Sequence, residues 1–141
     1  MSLVYWDTML FAYLFEGHPE FKPRVVQLAR RMEERGDTLC TSVFTVGEVL
    51  AGPSRLQRWD EVSKLREFFR SPELRLLDFK FSTAEIFAEI RGRGGVSSGD
   101  AIHLACAAES RVDLFLTHDK HLARKIVPGI QFIATLDTNI L

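Results

Sequence analysis

The sequence predicts an α/β fold in which helices cover both faces of a parallel β-sheet, a three-layer α/β/α sandwich. Two patterns predict this class. Short apolar runs of strand length alternate along the chain with stretches of helical periodicity, and the strand-like runs are apolar throughout. Continuous apolar strands are typical of a sheet that is buried on both faces. With 141 residues the chain has the length of one domain, and we expect a single domain over residues 1–141.

The strands are predicted from apolar runs bounded by turn or cap residues. The first run ends directly at Asp7, and the second is followed by Ser42, a favoured residue for capping a helix. The fourth run leads into Thr117 and a short polar stretch. The predicted strands are Leu3–Trp6, Thr38–Thr41, Leu74–Phe79, Val112–Thr117 and Gln131–Ala134.

The helices are predicted from apolar stripes and from their stop signals. The first helix carries an apolar stripe and ends at Gly36, and the second begins at Ser42 and ends at Gly52-Pro53. A glycine-rich turn at residues 92–95 separates two later helices. The predicted helices cover residues 21–35, 42–52, 55–70, 82–91 and 98–110, with a short one near 119–126.

Composition excludes several classes of protein. Apolar residues make up 46% of the chain and charged residues 26%, which is ordinary for a globular protein. The two cysteines, Cys40 and Cys106, lie in apolar runs and are predicted to be buried thiols. No apolar stretch has the length of a membrane span, and no signal peptide precedes the first strand. We therefore expect a cytoplasmic protein without a membrane partner.

Two aspartates follow predicted strands. Asp7 comes directly after the first strand and Asp119 shortly after the fourth. Each has a purely structural alternative, because Asp7 can begin a turn and Asp119 can cap the following helix. If the fourth strand lies beside the first, both carboxylates meet at the edge where strand order reverses, which is where parallel sheets bind ligands.

Two further acids lie on predicted helices. Glu48 lies in an apolar helix, and no Lys or Arg occurs between Arg35 and Arg55 to neutralise it. A buried carboxylate without a positive partner costs several kcal/mol, although Glu48 could also lie on an exposed face. Asp100 begins a helix three residues after Ser97, a spacing that a capping box would also explain.

The four acids together suggest a metal site. Carboxylates that converge without Lys or Arg repel one another and raise one another's pKa. A divalent cation removes this conflict, and oxygen ligands suit Mg²⁺ or Mn²⁺ better than zinc. We therefore predict that Asp7, Glu48, Asp100 and Asp119 bind Mg²⁺ or Mn²⁺.

The motifs around these acids, in this order, resemble the PIN-domain family and most closely its VapC-like toxins. The segments are LVYWDT at 3–8, SVFTVGEVLAG at 42–52, SSGDAIHLACAAE at 97–109 and LFLTHDKHL at 114–122. The resemblance implies a sheet of about five strands in the order 3-2-1-4-5 and an acidic metal site formed by Asp7, Glu48, Asp100 and Asp119. It assigns Thr117 as the hydroxyl residue of that site, with a lesser role for Thr8. His121 stands where relatives often carry another acid, which puts a second metal in doubt.

The resemblance also implies an activity and partners. The protein would be a metal-dependent endoribonuclease, the toxin of a toxin–antitoxin pair, and would form a homodimer and bind a protein antitoxin. Bound Mg²⁺ would activate a water for attack on the RNA backbone. Asp7 and Asp100 are predicted to contact the metal directly, with Glu48 and Asp119 completing the site.

Other functions remain open at this stage. The chain could be a non-catalytic PIN-like interaction or RNA-binding module, or an RNA-processing nuclease outside toxin–antitoxin systems. His103, His118 and His121 could form a zinc site, although their spacing matches no known zinc motif. Asp78 could mark a phosphate-accepting receiver domain, but the paired acids and the lysine of such domains are missing. More simply, His103 faces the crevice or a neighbour, and His118 and His121 lie on the surface.

The charge balance does not exclude a nucleic-acid ligand. The net charge is −1, and setting aside the four acids leaves +3 on the rest of the chain. Arg24, Arg31 and Arg35 fall on one predicted helix face, which either binds RNA or is simply solvated. Apolar residues on the 55–70 helix suggest, by the same resemblance, the surface where an antitoxin segment docks.

Overall fold

The computed structural model describes residues 1–138, so the last three residues of the predicted domain lie outside the described part. Five parallel strands form one sheet in the order β3-β2-β1-β4-β5, which is the predicted order. Strands β2 and β3 are added on one side of β1 and strands β4 and β5 on the other, so β1 and β4 are the neighbours at the switch point. The strands are β1 (Leu3–Trp6), β2 (Thr38–Ser42), β3 (Leu74–Leu77), β4 (Leu114–Thr117) and β5 (Phe132–Thr135).

Six α-helices and one short 3-10 turn connect the strands. Alternate residues of β1 show how the layers form: Tyr5 packs with residues of α5 and α6, whereas Val4 and Trp6 pack with residues of α1, α2 and α4. Helices therefore cover both faces of the sheet, as predicted. They are α1 (Thr8–Glu16), α2 (Phe21–Arg35), α3 (Val43–Arg55), α4 (Trp59–Phe69), α5 (Phe81–Arg93) and α6 (Ser98–Glu109), and the 3-10 turn is Leu122–Arg124.

Helix α1 is absent from the predicted elements. Its N-cap is Asp7, whose side chain accepts a hydrogen bond from the Thr8 backbone N–H, and it ends at Gly17 in the left-handed conformation. Met9–Phe15 is apolar almost throughout, so the run shows little helical periodicity in the sequence. Leu10 and Phe11 are fully buried in the core, which explains why the segment needs no polar stripe.

Several predicted boundaries are wrong by a few residues. Helix α3 continues through Pro53 to Arg55, because a proline in the last turn removes only one helical hydrogen bond. Helix α4 begins only at Trp59, since Gln57 adopts a positive φ of 56° between the two helices. Helix α5 runs through Gly92 and ends at Gly94, and β3 ends at Leu77.

Strand register fixes which side chains meet at the carboxyl edge of the sheet. Trp6 of β1 is the register partner of Leu116 of β4. The next residue, Asp7, continues this pairing, and its backbone N–H donates to the Leu116 carbonyl at 3.0 Å. Asp7 and Thr117 therefore leave the sheet side by side. No helix within residues 1–138 is long and apolar enough to cross a membrane.

Candidate metal centre

Asp7 and Thr117 form the centre of the candidate site. The Thr117 hydroxyl donates to Asp7 Oδ2 at 2.8 Å, and Asp7 Oδ1 accepts from the Thr8 backbone N–H at 2.6 Å. Asp7 is only 8% exposed and Thr117 is fully buried. The turn-forming role that the sequence suggested for Asp7 is therefore real, and it coexists with a fixed carboxylate at the edge of the sheet.

Asp119 is tied to the same threonine. Its backbone N–H donates to Thr117 Oγ1 at 3.1 Å, while its own Oδ1 accepts from the backbone N–H groups of His121 and Leu122 at 2.8 Å and 3.2 Å. Asp119 thus caps the turn that leads into Leu122, as the structural alternative predicts. One oxygen is used in capping, which leaves Oδ2 available to another ligand.

Asp100 lies in the first turn of α6, where its backbone N–H donates to the Ser97 hydroxyl at 3.2 Å. Its pKa is raised chiefly because partial burial penalises the charged form, and the negative charges of Asp7 and Asp119 raise it further. The structure therefore brings Asp7, directly after β1, and Asp119, two residues after β4, close enough to Asp100 of α6 to disfavour its charged form. This is the electrostatic conflict that the sequence predicts for a metal site.

Glu48 reaches the site from α3. Its carboxylate is bonded by the Thr8 hydroxyl and lies 2.9 Å from Nε2 of His103. These hydrogen bonds, with the His103 contact first, hold the pKa of Glu48 below its usual value. The expectation of a largely buried helix is wrong here, because only Thr45 of α3 is buried and the Glu48 side chain is 39% exposed.

His103 is the residue that the sequence did not connect to Glu48. It is 3% exposed, and Nε2 lies 3.7 Å from Asp7 Oδ1 in addition to its contact with Glu48. Its other nitrogen, Nδ1, lies 2.7 Å from the Tyr5 hydroxyl, which in turn donates to Ser42 Oγ at 2.9 Å. The sequence predicts that His103 faces the crevice or a neighbour, but it does not identify Glu48 as that neighbour.

A hydroxyl chain beneath His103 holds it in place. Thr41 donates one hydrogen bond from its single hydroxyl, which lies 2.7 Å from Thr45 Oγ1 and 2.8 Å from the Trp6 carbonyl. Thr45 Oγ1 lies 3.4 Å from His103 Nδ1. All three residues beneath the imidazole, Tyr5, Thr41 and Thr45, are fully buried. Burial of this kind also raises the pKa of the Tyr5 hydroxyl, so that it stays protonated.

Within residues 1–138, His118 and His121 do not form a zinc site with His103. The prediction that His118 lies on the surface needs correction, because the residue is half-buried with its ring 4.5 Å from that of Phe21 and 5.4 Å from that of Tyr13. His121 is exposed, and its Nε2 lies 3.2 Å from the Gly95 carbonyl. The three histidines of the zinc hypothesis, His103, His118 and His121, thus have different neighbours. Asp78, proposed as a receiver-type acceptor, follows edge strand β3 and is separated from β1 by β2.

The basic face of α2 is partly engaged in ion pairs. Arg24 binds Asp137 at 2.9 Å, and Arg35 binds Asp37 at 3.0 Å. Asp37 also accepts from the Ser2 backbone N–H, so Arg35 lies at the amino end of β1, away from Asp7. The α2 face therefore does not point as a unit toward the acidic site.

The chemistry of the donors fits a divalent cation. Asp7, Asp100 and Asp119 supply carboxylate oxygens, and in the described part of the chain neither Lys nor Arg forms an ion pair with them or with Glu48. Within residues 1–138, however, no three His, Cys, Asp or Glu side chains are placed closely enough to hold a metal ion together. The acids thus influence one another electrostatically, but the described side chains are not arranged as a ligand set.

Comparison with known structures finds the same fold in bacterial toxin–antitoxin complexes. VapBC2 of Rickettsia felis bound to a promoter DNA fragment matches with a TM-score of 0.75 at 16% identity, covering 94% of this chain and 98% of the other. DNA-bound VapBC of Salmonella typhimurium matches with a TM-score of 0.73 at 21% identity, covering 96% of this chain and 99% of the other. VapC20 of Mycobacterium tuberculosis is described as a Sarcin-Ricin loop cleaving toxin. It matches with a TM-score of 0.67 at 16% identity, covering 88% of this chain and 96% of the other.

At these identities the likeness establishes a shared fold. Comparison with curated protein sequences finds no match. Comparison with family models finds one, the PIN domain, over residues 4–127, a span that includes every residue of the candidate site. The resemblance first suggested by the four acidic motifs is therefore confirmed: the chain belongs to the PIN domain family.

Proposed function

We propose that this protein is a metal-dependent endoribonuclease that acts as the toxin of a toxin–antitoxin pair. The proposal is supported by the placement of Asp7, Asp100 and Asp119 near the carboxyl edge of β1 and β4, where partial burial and then the charges of Asp7 and Asp119 raise the pKa of Asp100. Carboxylates that lie close together without a positive partner disfavour one another's charged form, so a purely structural role does not explain this arrangement. A site that binds a cation gains from the same arrangement.

The chain's own residues divide the work of this site. Asp7 and Asp100 are the proposed direct ligands of Mg²⁺ or Mn²⁺, and Thr117 orients Asp7 through its hydroxyl. Asp119 and Glu48 complete the site, through a water or as the group that accepts a proton from the attacking water. When bound, the metal polarises the scissile phosphate and lowers the pKa of that water.

His103 fixes the position of Glu48. Its Nδ1 is anchored to the buried Tyr5 hydroxyl, so the ring presents Nε2 toward Glu48 and Asp7. A carboxylate held in this way cannot turn freely toward solvent. We therefore assign His103 as a positioning residue and Glu48 as a carboxylate kept ready at the rim of the site.

The proposed substrate is single-stranded or looped RNA. Support comes from the PIN domain match and from structural similarity to a toxin described as cleaving the Sarcin-Ricin loop. Held by these carboxylates, a divalent cation would offset their repulsion of an RNA phosphate, which makes a phosphodiester a suitable substrate for the site.

The proposed antitoxin site is a depression of about 290 Å³ between α1, α3 and α4. Thr8 and Glu48 line one side of it, so a bound segment would also reach the catalytic acids. Leu56, another lining residue, is 57% exposed. Leu56→Asp is expected to weaken antitoxin binding in a pull-down or calorimetric assay. Phe132→Asp is the matched control, since Phe132 is 58% exposed on β5, away from this depression.

A homodimer is the proposed assembly. Phe79, in the loop after β3, and Phe81, the first residue of α5, are 42% and 84% exposed, which is an unusual amount of aromatic surface for one short segment. A dimer would cover it. Light scattering on the purified protein measures the mass, and a monomer at micromolar concentration would contradict this assignment.

The nuclease proposal is tested by RNA cleavage with and without Mg²⁺ or Mn²⁺. Asp7→Asn and Asp100→Asn are expected to abolish cleavage while the circular dichroism spectrum stays unchanged. Asp60→Asn, at an exposed acid in the first turn of α4, is the matched control and should cleave normally. Full activity in the Asp7 or Asp100 variants would exclude this active site.

Two outcomes separate the proposal from its alternatives. A protein that cleaves no RNA and melts at the same temperature with and without Mg²⁺ would be a non-catalytic module in which the acids serve only as caps. A gene for a small antitoxin directly upstream supports a toxin, whereas its absence together with RNA cleavage supports an RNA-processing nuclease.

A further inference from the structure

Lys125 carries a positive charge that nothing in the described chain neutralises. The residue follows the 3-10 turn Leu122–Arg124 and is half-buried. Within residues 1–138 its ammonium group forms neither an ion pair nor a hydrogen bond. Partial burial of an unpaired ammonium is unfavourable unless an anion meets it.

Gly95 makes room for this ammonium. A Cβ atom at position 95 would lie 2.7 Å from Lys125 Nζ, closer than real Cβ contacts allow. Gly95 also has a φ of 78°, in the left-handed region that favours glycine. Nearby, His121 Nε2 lies 3.2 Å from the Gly95 carbonyl, so the turn at 94–95 and the segment after β4 lie against each other.

The contact between Lys125 and Gly95 joins the two chain segments that carry Asp119 and Asp100. His121, which contacts Gly95, has its backbone N–H bonded to Asp119 Oδ1. On the other side, the chain continues from Gly95 through the Ser97 cap to Asp100 in five residues. The unpaired ammonium therefore belongs to the same two segments that deliver Asp119 and Asp100.

Several cations elsewhere in the protein are already engaged. Arg24, Arg35, Arg58 and Lys80 all form ion pairs within the protein. An acidic centre repels RNA, so a nuclease of this kind needs cations at the rim to hold the flanking phosphates.

We propose that Lys125, seated against Gly95, binds a backbone phosphate of single-stranded RNA next to the phosphodiester that is cleaved. The inference rests on the proposed function for the nature of the ligand. A lysine ammonium binds a phosphate as a point charge and reads no base, so Lys125 contributes affinity independently of RNA sequence.

The test measures binding without cleavage. In the Asp7→Asn background and without added metal, a fluorescently labelled single-stranded RNA oligonucleotide is titrated by anisotropy at several salt concentrations. Lys125→Gln is expected to weaken binding by about threefold to tenfold and to reduce the slope of log K against log salt by about 0.7, the value for one phosphate contact. Lys64→Gln, at an exposed lysine of α4, removes the same charge and should leave the affinity and slope nearly unchanged.

A pair of glycine variants tests the seat itself. Gly95→Ala displaces the ammonium without changing charge, so it should weaken binding in the same direction as Lys125→Gln. Gly94→Ala is the matched control, because Gly94 has the same φ of 78° but no atom within 4 Å of a Cβ there. Melting temperatures of all variants confirm that they are folded.

Failures of the two proposals are distinguishable. Loss of affinity and slope in Lys125→Gln, with no RNA cleavage by the wild type, would support the phosphate contact and reject the nuclease. Normal cleavage by the wild type, with the affinity and slope of Lys125→Gln equal to those of Lys64→Gln, would reject the phosphate contact alone. An Asp7→Asn protein that binds no RNA at any salt concentration, or equal affinities for Gly95→Ala and Gly94→Ala, would also overturn the inference.

Discussion

His103 Nε2 lies 2.9 Å from Glu48 Oε1, and this contact joins helices α6 and α3 across the candidate site. The opposite nitrogen of the same ring lies 2.7 Å from the buried Tyr5 hydroxyl. His103 therefore connects the core of the protein to a carboxylate at its surface. The buried Tyr5 hydroxyl holds the His103 ring in position, and the ring in turn holds the Glu48 carboxylate.

Replacing His103 should expose this dependence. His103→Leu leaves the Tyr5 hydroxyl and Glu48 without their shared partner, and we expect a loss of about 1–3 kcal/mol in the free energy of unfolding. A double-mutant cycle with Glu48→Gln, measured by urea denaturation, should give a coupling energy of at least about 0.5 kcal/mol. Additive effects of the two substitutions would mean that the contact contributes nothing to stability.

The lowered pKa of Glu48 predicts that the stability of the protein depends on pH in the acid range. Its pKa is lowered in the folded state, so ionised Glu48 stabilises the protein above pH 4.5, its ordinary value, and this contribution is lost as pH falls through the lower folded pKa. The side chain is 39% exposed, so solvent screening keeps the contribution below about 1 kcal/mol. The stability difference between wild type and Glu48→Gln should therefore be largest near neutral pH and vanish in strong acid. A difference that grows on acidification would contradict the assigned direction.

The raised pKa of Asp100 predicts a pH dependence of stability with the opposite sign. Its pKa is raised, so ionised Asp100 destabilises the metal-free protein, and this penalty develops as pH rises from its ordinary value of 3.8 through the higher folded pKa. In EDTA at neutral pH, Asp100→Asn should be more stable than wild type by about a few tenths of a kcal/mol, since the group is partly solvated.

Added metal should reverse that order. Binding at a concentration 100 times Kd stabilises a folded protein by about 2.7 kcal/mol. Mg²⁺ or Mn²⁺ should therefore raise the melting temperature of wild type markedly and that of Asp100→Asn little, as measured by calorimetry. Equal increases in both proteins would argue that the metal binds elsewhere, and Asp60→Asn provides the control for loss of a surface acid.

The sheet and the place of the site could be predicted because both depend on local patterns. Apolar strands alternating with helices predict the parallel sheet, Asp7 follows β1 directly, and Asp119 lies two residues after β4. Strands β1 and β4 are neighbours in register, with Trp6 opposite Leu116, so the next residues of the two strands, Asp7 and Thr117, lie side by side. Helix α1 could not be predicted with the same patterns, because a nearly uniform apolar run carries no period.

Tertiary contacts could not be predicted from such patterns. His103 and Glu48 are separated by 55 residues, and no spacing rule links residues on different helices. The ion pairs of Arg24 and Arg35 depend in the same way on where Asp137 and Asp37 lie in the fold. A basic helix face predicted from sequence thus shows where positive charge is concentrated, but not whether those side chains already form ion pairs within the protein.

Thr117 provides the most direct test of how the carboxylates are oriented. Its hydroxyl donates to Asp7 at 2.8 Å and accepts from the Asp119 backbone at 3.1 Å, so one buried oxygen links two proposed members of the site. Thr117→Val keeps the shape but removes both bonds, and we expect a stability loss of about 1–2 kcal/mol and at least a tenfold loss of RNA cleavage. Thr117→Ser keeps the hydroxyl and should retain most of the activity.

The two Thr117 variants also separate orientation from stability. If the hydroxyl acts by orienting Asp7, Thr117→Val should weaken Mn²⁺ binding, measured by calorimetry well below the melting temperature, while Thr117→Ser should bind Mn²⁺ nearly as wild type does. A valine variant that is destabilised but binds Mn²⁺ and cleaves RNA normally would reduce Thr117 to a packing residue. Because the side chain is fully buried, a serine variant as inactive as valine would assign the effect to the lost methyl group and its packing.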